Sequence, residues 1–145
     1  MRCVLQRVLD ASVTVDDVTV GKIKQGILVY FGVQKGDDEE RMRWICDKIV
    51  KLRMFKDNED KMNLSLKDAG GDILLVSQFT LCANLHKGNR PSWDDSEDPA
   101  LAEQMYLKAI AYLQGQGVHV EHGRFGAHML VSYVNDGPVT FVLDH

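Results

Sequence analysis

The apolar positions of the chain fall into two periods. Arg2 to Leu9 alternates loosely, and Ser12-Val13-Thr14-Val15 alternates cleanly, with Val13 and Val15 on one face. Val18-Thr19-Val20 repeats the pattern beyond Asp16-Asp17, which predicts a hairpin. Ile27 to Val33 is an unbroken apolar run, the mark of a strand covered on both faces. Met42, Ile45, Ile49 and Leu52 then recur at helical spacing behind Asp37-Asp38-Glu39-Glu40. Asp37 and Glu40 have capping-box spacing, and acidic residues suit the positive end of a helix. Lys61 to Ser65 reads as a short edge element, and Asp72 to Val76 as a strong strand. Asp98-Pro99 predicts an N-cap followed by proline at the first helical position. Leu101, Met105, Ala109 and Tyr112 fall on one face of that helix, with Ala102, Tyr106 and Ile110 beside them, and Gly115 and Gly117 end it. Val118 to Glu121, Met129 to Val134 and Val139 to Leu143 close the chain as strands, the last two separated by a turn over Asn135 to Pro138. Two helices and about eight strands with mostly short connections predict an α+β fold. The polar stretch from Leu85 to Asp98 is the one long loop, and a loop of that length in a compact domain is often functional.

Composition narrows the setting. The 145 residues suit one domain, 1–145, with one core, and no repeat or linker divides them. No run approaches the roughly 18 apolar residues of a membrane span, and Met1 leads straight into a strand pattern, so a cytoplasmic protein is expected. Cys3, Cys46 and Cys82 are widely spaced and odd in number, which favours reduced, buried thiols over a disulfide or zinc framework. A net charge of -4 argues against a protein that coats nucleic acid, but not against one that grips a single RNA end through a few contacts. Arg41, Arg43, Lys48, Lys51 and Arg53 on the first helix read as a solvated face, with an RNA-facing patch as the alternative.

Two stretches carry the chemistry. Ser77-Gln78-Phe79-Thr80-Leu81 follows the strand Asp72 to Val76. Asn135-Asp136-Gly137-Pro138-Val139-Thr140 lies between the last two apolar runs, where Gly137 can take a positive φ and Pro138 makes a cis bond inexpensive. Read singly, the first continues a strand and the second makes a turn. Together they resemble the two signature motifs of the D-aminoacyl-tRNA deacylases. The resemblance runs from Met1 to the C-terminus and includes Leu5-Gln6-Arg7-Val8, Ala11-Ser12-Val13, Gly88-Asn89-Arg90-Pro91-Ser92 and Gly123-Arg124-Phe125-Gly126-Ala127. Relatives that tolerate L-alanine and carry a trans Gly-Pro bond have a different first motif, so Ser77-Gln78 points to the D-specific branch.

The resemblance implies curved, mostly antiparallel β-sheet layers, barrel-like and backed by two main helices, assembled as a homodimer. It implies a tRNA-editing hydrolase that cleaves D-aminoacyl-tRNA, and mischarged glycyl-tRNA as well, at the acceptor 3′ end. Ser77, Gln78, Phe79 and Thr80 would bind the esterified end, with backbone N–H groups stabilising the oxyanion. Gly137 and Pro138 of one subunit would enter the other subunit's site and exclude L side chains. Arg7, by its residue type alone a surface arginine, would brace that turn. Met129, by packing alone a core residue, and Phe125 would line the amino-acid pocket. Thr80 is the obvious nucleophile and Ser77 the second, but each needs an adjacent base that local sequence does not place, which favours positioning and activation of water by the RNA 2′-hydroxyl. Among His86, His119, His122, His128 and His145, the pair His119 and His122 points to opposite faces of a strand, so neither a metal site nor a cofactor is expected. His128 can line the pocket or face solvent, and Lys87 to Arg90 can contact phosphate or merely solvate their loop. No membrane or DNA partner is expected. The absence of a triad keeps one alternative, a non-catalytic homodimeric β-rich interaction module.

Overall fold

The structure, a computed structural model, describes residues 1–86 and 88–145. Strand β1 (Arg2–Val15) organises it. The two alternating runs at the start of the chain form this one strand, with buried Ala11 between them. It pairs antiparallel with β2 (Val18–Ile23) along its second half, with β3 (Gly26–Gly32) along its first half, and with β8 (Leu130–Asp144) along nearly its whole length. On the far side of β3, β6 (Asp72–Ser77) and then β7 (Val120–His122) add in parallel, giving the order β2-β1-β3-β6-β7. The sheet curls until its two ends meet. A Cβ placed on Gly21 of β2 would lie 2.9 Å from the carbonyl oxygen of His122 on β7, an approach that glycine permits. The result is a nearly closed, curved mixed sheet. A small pair, β4 (Phe55–Lys56) and β5 (Met62–Leu64), stands apart from it.

Helices α1 (Glu39–Lys51) and α2 (Pro99–Gly115) cover the outer face. Leu5, Ile27, Val29, Phe31, Ile73 and Leu75 meet Met42, Ile45 and Ile49 of α1 and Tyr106, Ala109, Ile110 and Leu113 of α2. Alternate residues, Leu28, Leu74 and Val76, point inward against Val8, Ala11, Val13, Val15 and Ile23. This double burial accounts for the unbroken apolar run of β3.

The N-cap of α1 is Asp38, whose carboxylate accepts from the Arg41 N–H at 2.9 Å. Asp37 turns inward instead, accepting from the Gln34 N–H at 2.7 Å and pairing with the Met1 ammonium at 2.6 Å. Asp98 caps α2 as expected, accepting from the Ala100 N–H at 3.0 Å. Leu101, however, is 53% exposed, and the buried face runs through Tyr106, Ala109, Ile110 and Leu113. Apolar residues surround most of this helix, so periodicity alone leaves its rotation open. The cations of α1 form a solvated face: Arg43 pairs with Glu39 at 3.5 Å, Lys51 with Asp47 at 2.9 Å, and Lys48 lies over the Trp44 ring at 5.2 Å.

The expected turn over Asn135 to Pro138 does not reverse the chain. Val8 pairs with Asn135 and Gln6 with Thr140, so residues 136–139 stand opposite Arg7 alone as a bulge within β8. The 14 residues of β1 are long enough to pair with both halves of β8 in one direction. Gly137 in the bulge has φ +121, and the Gly137–Pro138 bond is cis. Among the described residues, no helix is long and apolar enough to cross a membrane.

Candidate active site

The parallel strands β3 and β6 end side by side, with Phe31 paired to Ser77. The Gln78 N–H makes one more ladder bond, to the Phe31 carbonyl at 2.9 Å, and then the chain leaves the sheet. Phe79–Cys82 is a short 3-10 turn with Gln78 at its N-cap, so this motif does not continue the strand. The Leu81 N–H returns to the Gln78 carbonyl at 3.3 Å and the Ala83 N–H to that of Thr80 at 3.2 Å. The N–H groups of Phe79 and Thr80 have no acceptor among the described residues. Two consecutive backbone donors are thus uncommitted at the strand end. Gly32 on β3 makes room for this turn: a Cβ there would lie 3.0 Å from both the Gln78 carbonyl oxygen and Cys82 Sγ.

The turn borders a cleft of about 790 Å³ whose wall includes Ser77, Gln78, Phe79, Phe125, His128 and Met129. The cleft reaches both faces of the sheet edge, because Tyr30 and Val76 point to the inside of the curled sheet while Phe31 and Tyr106 lie on the helix side. Met129 is both core and lining: it packs on the interior cluster and reaches the cleft. Gly123 leaves it space, since a Cβ there would stand 2.5 Å from Met129 Sδ. Phe125 packs against the helix-side cluster and reaches the same cleft. His128 is exposed and still lines it.

No ready nucleophile emerges from the geometry. Thr80 Oγ1 donates to Gln78 Oε1 at 2.6 Å, and an amide oxygen cannot serve as the base that activates a hydroxyl. The same bond occupies the Gln78 amide oxygen and not its NH₂. Burial, and then the neighbouring Tyr133, pushes the Tyr30 phenol up to about 12. Burial also pushes the Tyr106 phenol up, and its hydroxyl donates to the Leu75 carbonyl at 2.7 Å. Both phenols therefore stay protonated near neutral pH. His119 stands 3.3 Å from Glu121, whereas the His122 ring lies beside the Gly123 carbonyl at 2.9 Å, so the two histidines share no site.

The second motif sits elsewhere on the chain. Arg7 pairs with Ile27 at the amino end of β3, whereas the cleft is at Tyr30 and Phe31, and neither Arg7, Gly137 nor Pro138 lines it. Arg7 is not a surface residue: it is 3% exposed. Its Nη1 donates to the Met54 carbonyl at 2.6 Å, its Nε stands 2.7 Å from the Asp136 carboxylate, and a Cβ on Gly137 would come within 3.1 Å of Nη2. Asn135 Nδ2 donates to the carbonyls of Arg7 at 2.9 Å and Val139 at 3.2 Å, closing the base of the bulge. Gly137 and Pro138 themselves are exposed. Sequence reasoning had no role for Asn135, Gly32 or the Met54 carbonyl. Only Asn135 left a signal, as a side-chain amide beside the Gly-Pro step. In the loop of the second half, Gly88, Asn89 and Arg90 are exposed, and Lys87 lies outside the described residues.

A strand-edge cleft with uncommitted amide donors defines a class of site, one that offers backbone N–H groups rather than a side-chain nucleophile. Comparison with known proteins then gives the family. Residues 4–144 match the model of the family described as D-Tyr-tRNA(Tyr) deacylase. The chain is 51% identical over 144 residues to the D-aminoacyl-tRNA deacylase of Desulfitobacterium hafniense, covering 99% of this chain and 97% of that protein. It is equally close, at 51% over 144 residues, to the D-aminoacyl-tRNA deacylase of Pelobacter propionicus, covering 99% of each. Among solved structures it superposes on the c-Myc DNA Unwinding Element Binding Protein with a TM-score of 0.94 and 36% identity, covering 100% of this chain and 99% of that one. A probable eukaryotic D-amino acid tRNA deacylase shares the fold, with a TM-score of 0.84 at 19% identity over 99% and 98% of the two chains. The chain belongs to the D-aminoacyl-tRNA deacylase family and is a hydrolase.

Proposed function

We propose that the chain acts as one domain, in the cytoplasm, hydrolysing the ester that joins a D-amino acid or glycine to the 3′ end of tRNA. The observation that carries this reading is the pair of uncommitted N–H groups at Phe79, which lines the cleft, and at Thr80, the next residue of the turn, which does not line it. An ester carbonyl oxygen placed there accepts from both. As water attacks the carbonyl carbon, negative charge moves onto that oxygen, where fixed dipoles stabilise it without titrating. The ribose hydroxyl next to the ester activates the water, the bond to the ribose oxygen breaks, and free amino acid and tRNA leave. Ser77, Gln78 and Thr80 place the ester, and Met129 and Phe125 line the amino-acid side. Thr80, bonded to Gln78, acts by positioning rather than as a nucleophile.

Chirality is read by a second copy of the chain. The bulge at Gly137-Pro138 is exposed, held by Arg7 and Asn135, and absent from its own cleft. Those features suit a rigid element that serves a partner. In the homodimer its carbonyls meet the substrate's α-amino group and fill the space an L side chain needs, which is specificity by exclusion. Glycine has no side chain and passes. Leu130, Val134 and Val142 on β8 are 59%, 49% and 63% exposed, an apolar surface that a two-fold partner would cover. A non-catalytic interaction module gives the uncommitted donors and the open cleft no task. Incubation with D-tyrosyl-tRNA and L-tyrosyl-tRNA separates the readings. Release of D-tyrosine with L-tyrosyl-tRNA left intact is expected, and failure to cleave either would remove the enzymatic reading.

A further inference from the structure

At the lip of the cleft, two large aromatic side chains stand in contact with each other and open to solvent. Phe79 is 58% exposed and Trp93 is 42% exposed, with ring centroids 4.9 Å apart and planes tilted by 59°. Neither ring is loosely attached. Phe79 opens the 3-10 turn, and its own N–H is one of the uncommitted donors. Trp93 follows Ser92, which exchanges two backbone hydrogen bonds with Asn84, at 2.9 and 3.1 Å. The Trp93 carbonyl accepts from the Ser96 N–H at 3.0 Å, and Ser96 Oγ donates to the Phe79 carbonyl at 3.4 Å. The long loop is therefore tied back onto the turn, and the two rings are presented together.

Charge decides what such a surface can hold. Asp94, Asp95, Glu97 and Asp98 follow Trp93 directly, and among the described residues Lys35 is the one lysine or arginine in the cleft wall beside them, so the acidic charge of this rim disfavours phosphate. Of the cations along the first helix, Arg43 and Lys51 pair within α1, Lys48 lies over Trp44 and Arg41 faces Asp37, while Arg53 falls beyond the last helical residue. On an acidic rim an RNA end is better held by base faces than by its backbone, and exposed aromatic rings serve that purpose for single strands. If the ester lies against the Phe79 and Thr80 donors, the terminal nucleoside that carries it is inside the cleft. The strand continues outward over the lip, where its next base meets the rings.

We infer that Phe79 and Trp93 form a stacking platform for the base of the nucleotide preceding the esterified terminal adenosine. This rests on the deacylase reading for the identity of the RNA end, but not for the existence of the platform.

Trp93 is the residue to vary, because Phe79 also supplies a donor. Trp93→Leu keeps apolar bulk and removes the aromatic face, whereas Trp93→Phe keeps a face. The kcat/KM for D-tyrosyl-tRNA is measured against that for 3′-O-(D-tyrosyl)adenosine, which lacks the preceding nucleotide. For Trp93→Leu the ratio of the two should fall about tenfold, through KM, the size expected of one lost stacked base. Trp93→Phe should stay within about threefold of wild type by the same scale. Equal losses on both substrates would mean that the ring holds the terminal nucleoside, and no loss on either would mean that it holds nothing. Either result overturns the platform, as does Trp93→Phe failing as badly as Trp93→Leu. A second measurement needs no activity. The chain has 2 tryptophans, so in a Trp44→Phe background the emission reports Trp93 alone. The trinucleotide CCA should quench it at roughly tenfold lower concentration than adenosine does. Equal concentrations would refute the platform even if the ester were cleaved. Quenching by CCA from an inactive protein would refute the deacylase reading and leave the platform standing.

Discussion

Replacing Arg7 by methionine tests the link between the buried framework and the exposed bulge. Methionine keeps most of the stem volume, so little cavity forms. The guanidinium leaves three things behind. The Met54 carbonyl, its acceptor at 2.6 Å, is buried and loses a charged donor, which costs about 1–3 kcal/mol. The Asp136 carboxylate is 39% exposed and can rehydrate, so the loss of that ion pair adds little. The guanidinium face that backs Gly137 is gone, while the Asn135 bonds to Arg7 and Val139 carbonyls involve the backbone and survive. The sum is a destabilisation of about 2 kcal/mol and a bulge that is loosened rather than dissolved. In urea, with a slope of about 1–3 kcal/mol per molar, the midpoint should fall by about 1 M. Hydrolysis of D-tyrosyl-tRNA should fall by about tenfold to a hundredfold, the range expected when a contacting group is misplaced by up to an ångström. An unchanged midpoint would show that Arg7 is not the buried cation described above. A lowered midpoint with unchanged D-activity and unchanged L-rejection would make Arg7 a packing residue with no part in recognition.

Thr80→Ala removes one side-chain hydrogen bond and no proposed donor, so hydrolysis should stay within about tenfold of wild type; complete loss in a folded variant, with a trapped acyl-enzyme in wild type, would make Thr80 the nucleophile. Gly32→Ala places a Cβ 3.0 Å from the Gln78 carbonyl oxygen and Cys82 Sγ, which pushes the turn that carries the donors. Its kcat should drop more than its KM changes, because those donors act most strongly on the transition state, and a pure KM effect would argue against them. Binding of tRNA should depend only weakly on salt, with a slope of about -0.7 per phosphate contact on single strands and few contacts, whereas a slope implying about eight would reveal a basic surface that the paired charges of α1 do not provide.

Much of the scaffold was legible because its cause is local. The double burial of β3 shows as an unbroken run, and Asp98-Pro99 marks the start of α2 directly. What escaped depends on distant partners. Asp37 and Asp38 are equivalent to a capping rule, and only the Met1 ammonium draws Asp37 inward. The Gly-Pro step reads as a turn until a long β1 is available to pair with both sides of it. Arg7 reads as a surface residue until Met54 and Asp136, remote in sequence, enclose it. At the site, the residues around Ser77 and Gly137 were singled out by their resemblance to a family. The geometry was not, because the uncommitted N–H groups of Phe79 and Thr80 arise from a change of backbone direction, and Gly32 contributes by lacking an atom. The separation of the two motifs within one chain was implied by the resemblance alone and not by any local pattern, since it follows from which end of β3 each one meets.

That separation makes the cross-subunit site the central claim, and complementation measures it most directly. One variant, Gly32→Val, damages the cleft and keeps the bulge; the other, Gly137→Val, damages the bulge, where a Cβ would lie 2.6 Å from Val139 Cγ2, and keeps the cleft. Each should be inactive alone on D-tyrosyl-tRNA. Co-expressed in equal amounts, about half of the dimers are mixed, and each mixed dimer joins one sound cleft to one sound bulge from the other chain. The account predicts recovery of about a quarter of wild-type activity per chain, on that random-pairing arithmetic. No recovery from mixed dimers that are demonstrably present would contradict it, and would mean that each bulge serves the chain to which it belongs.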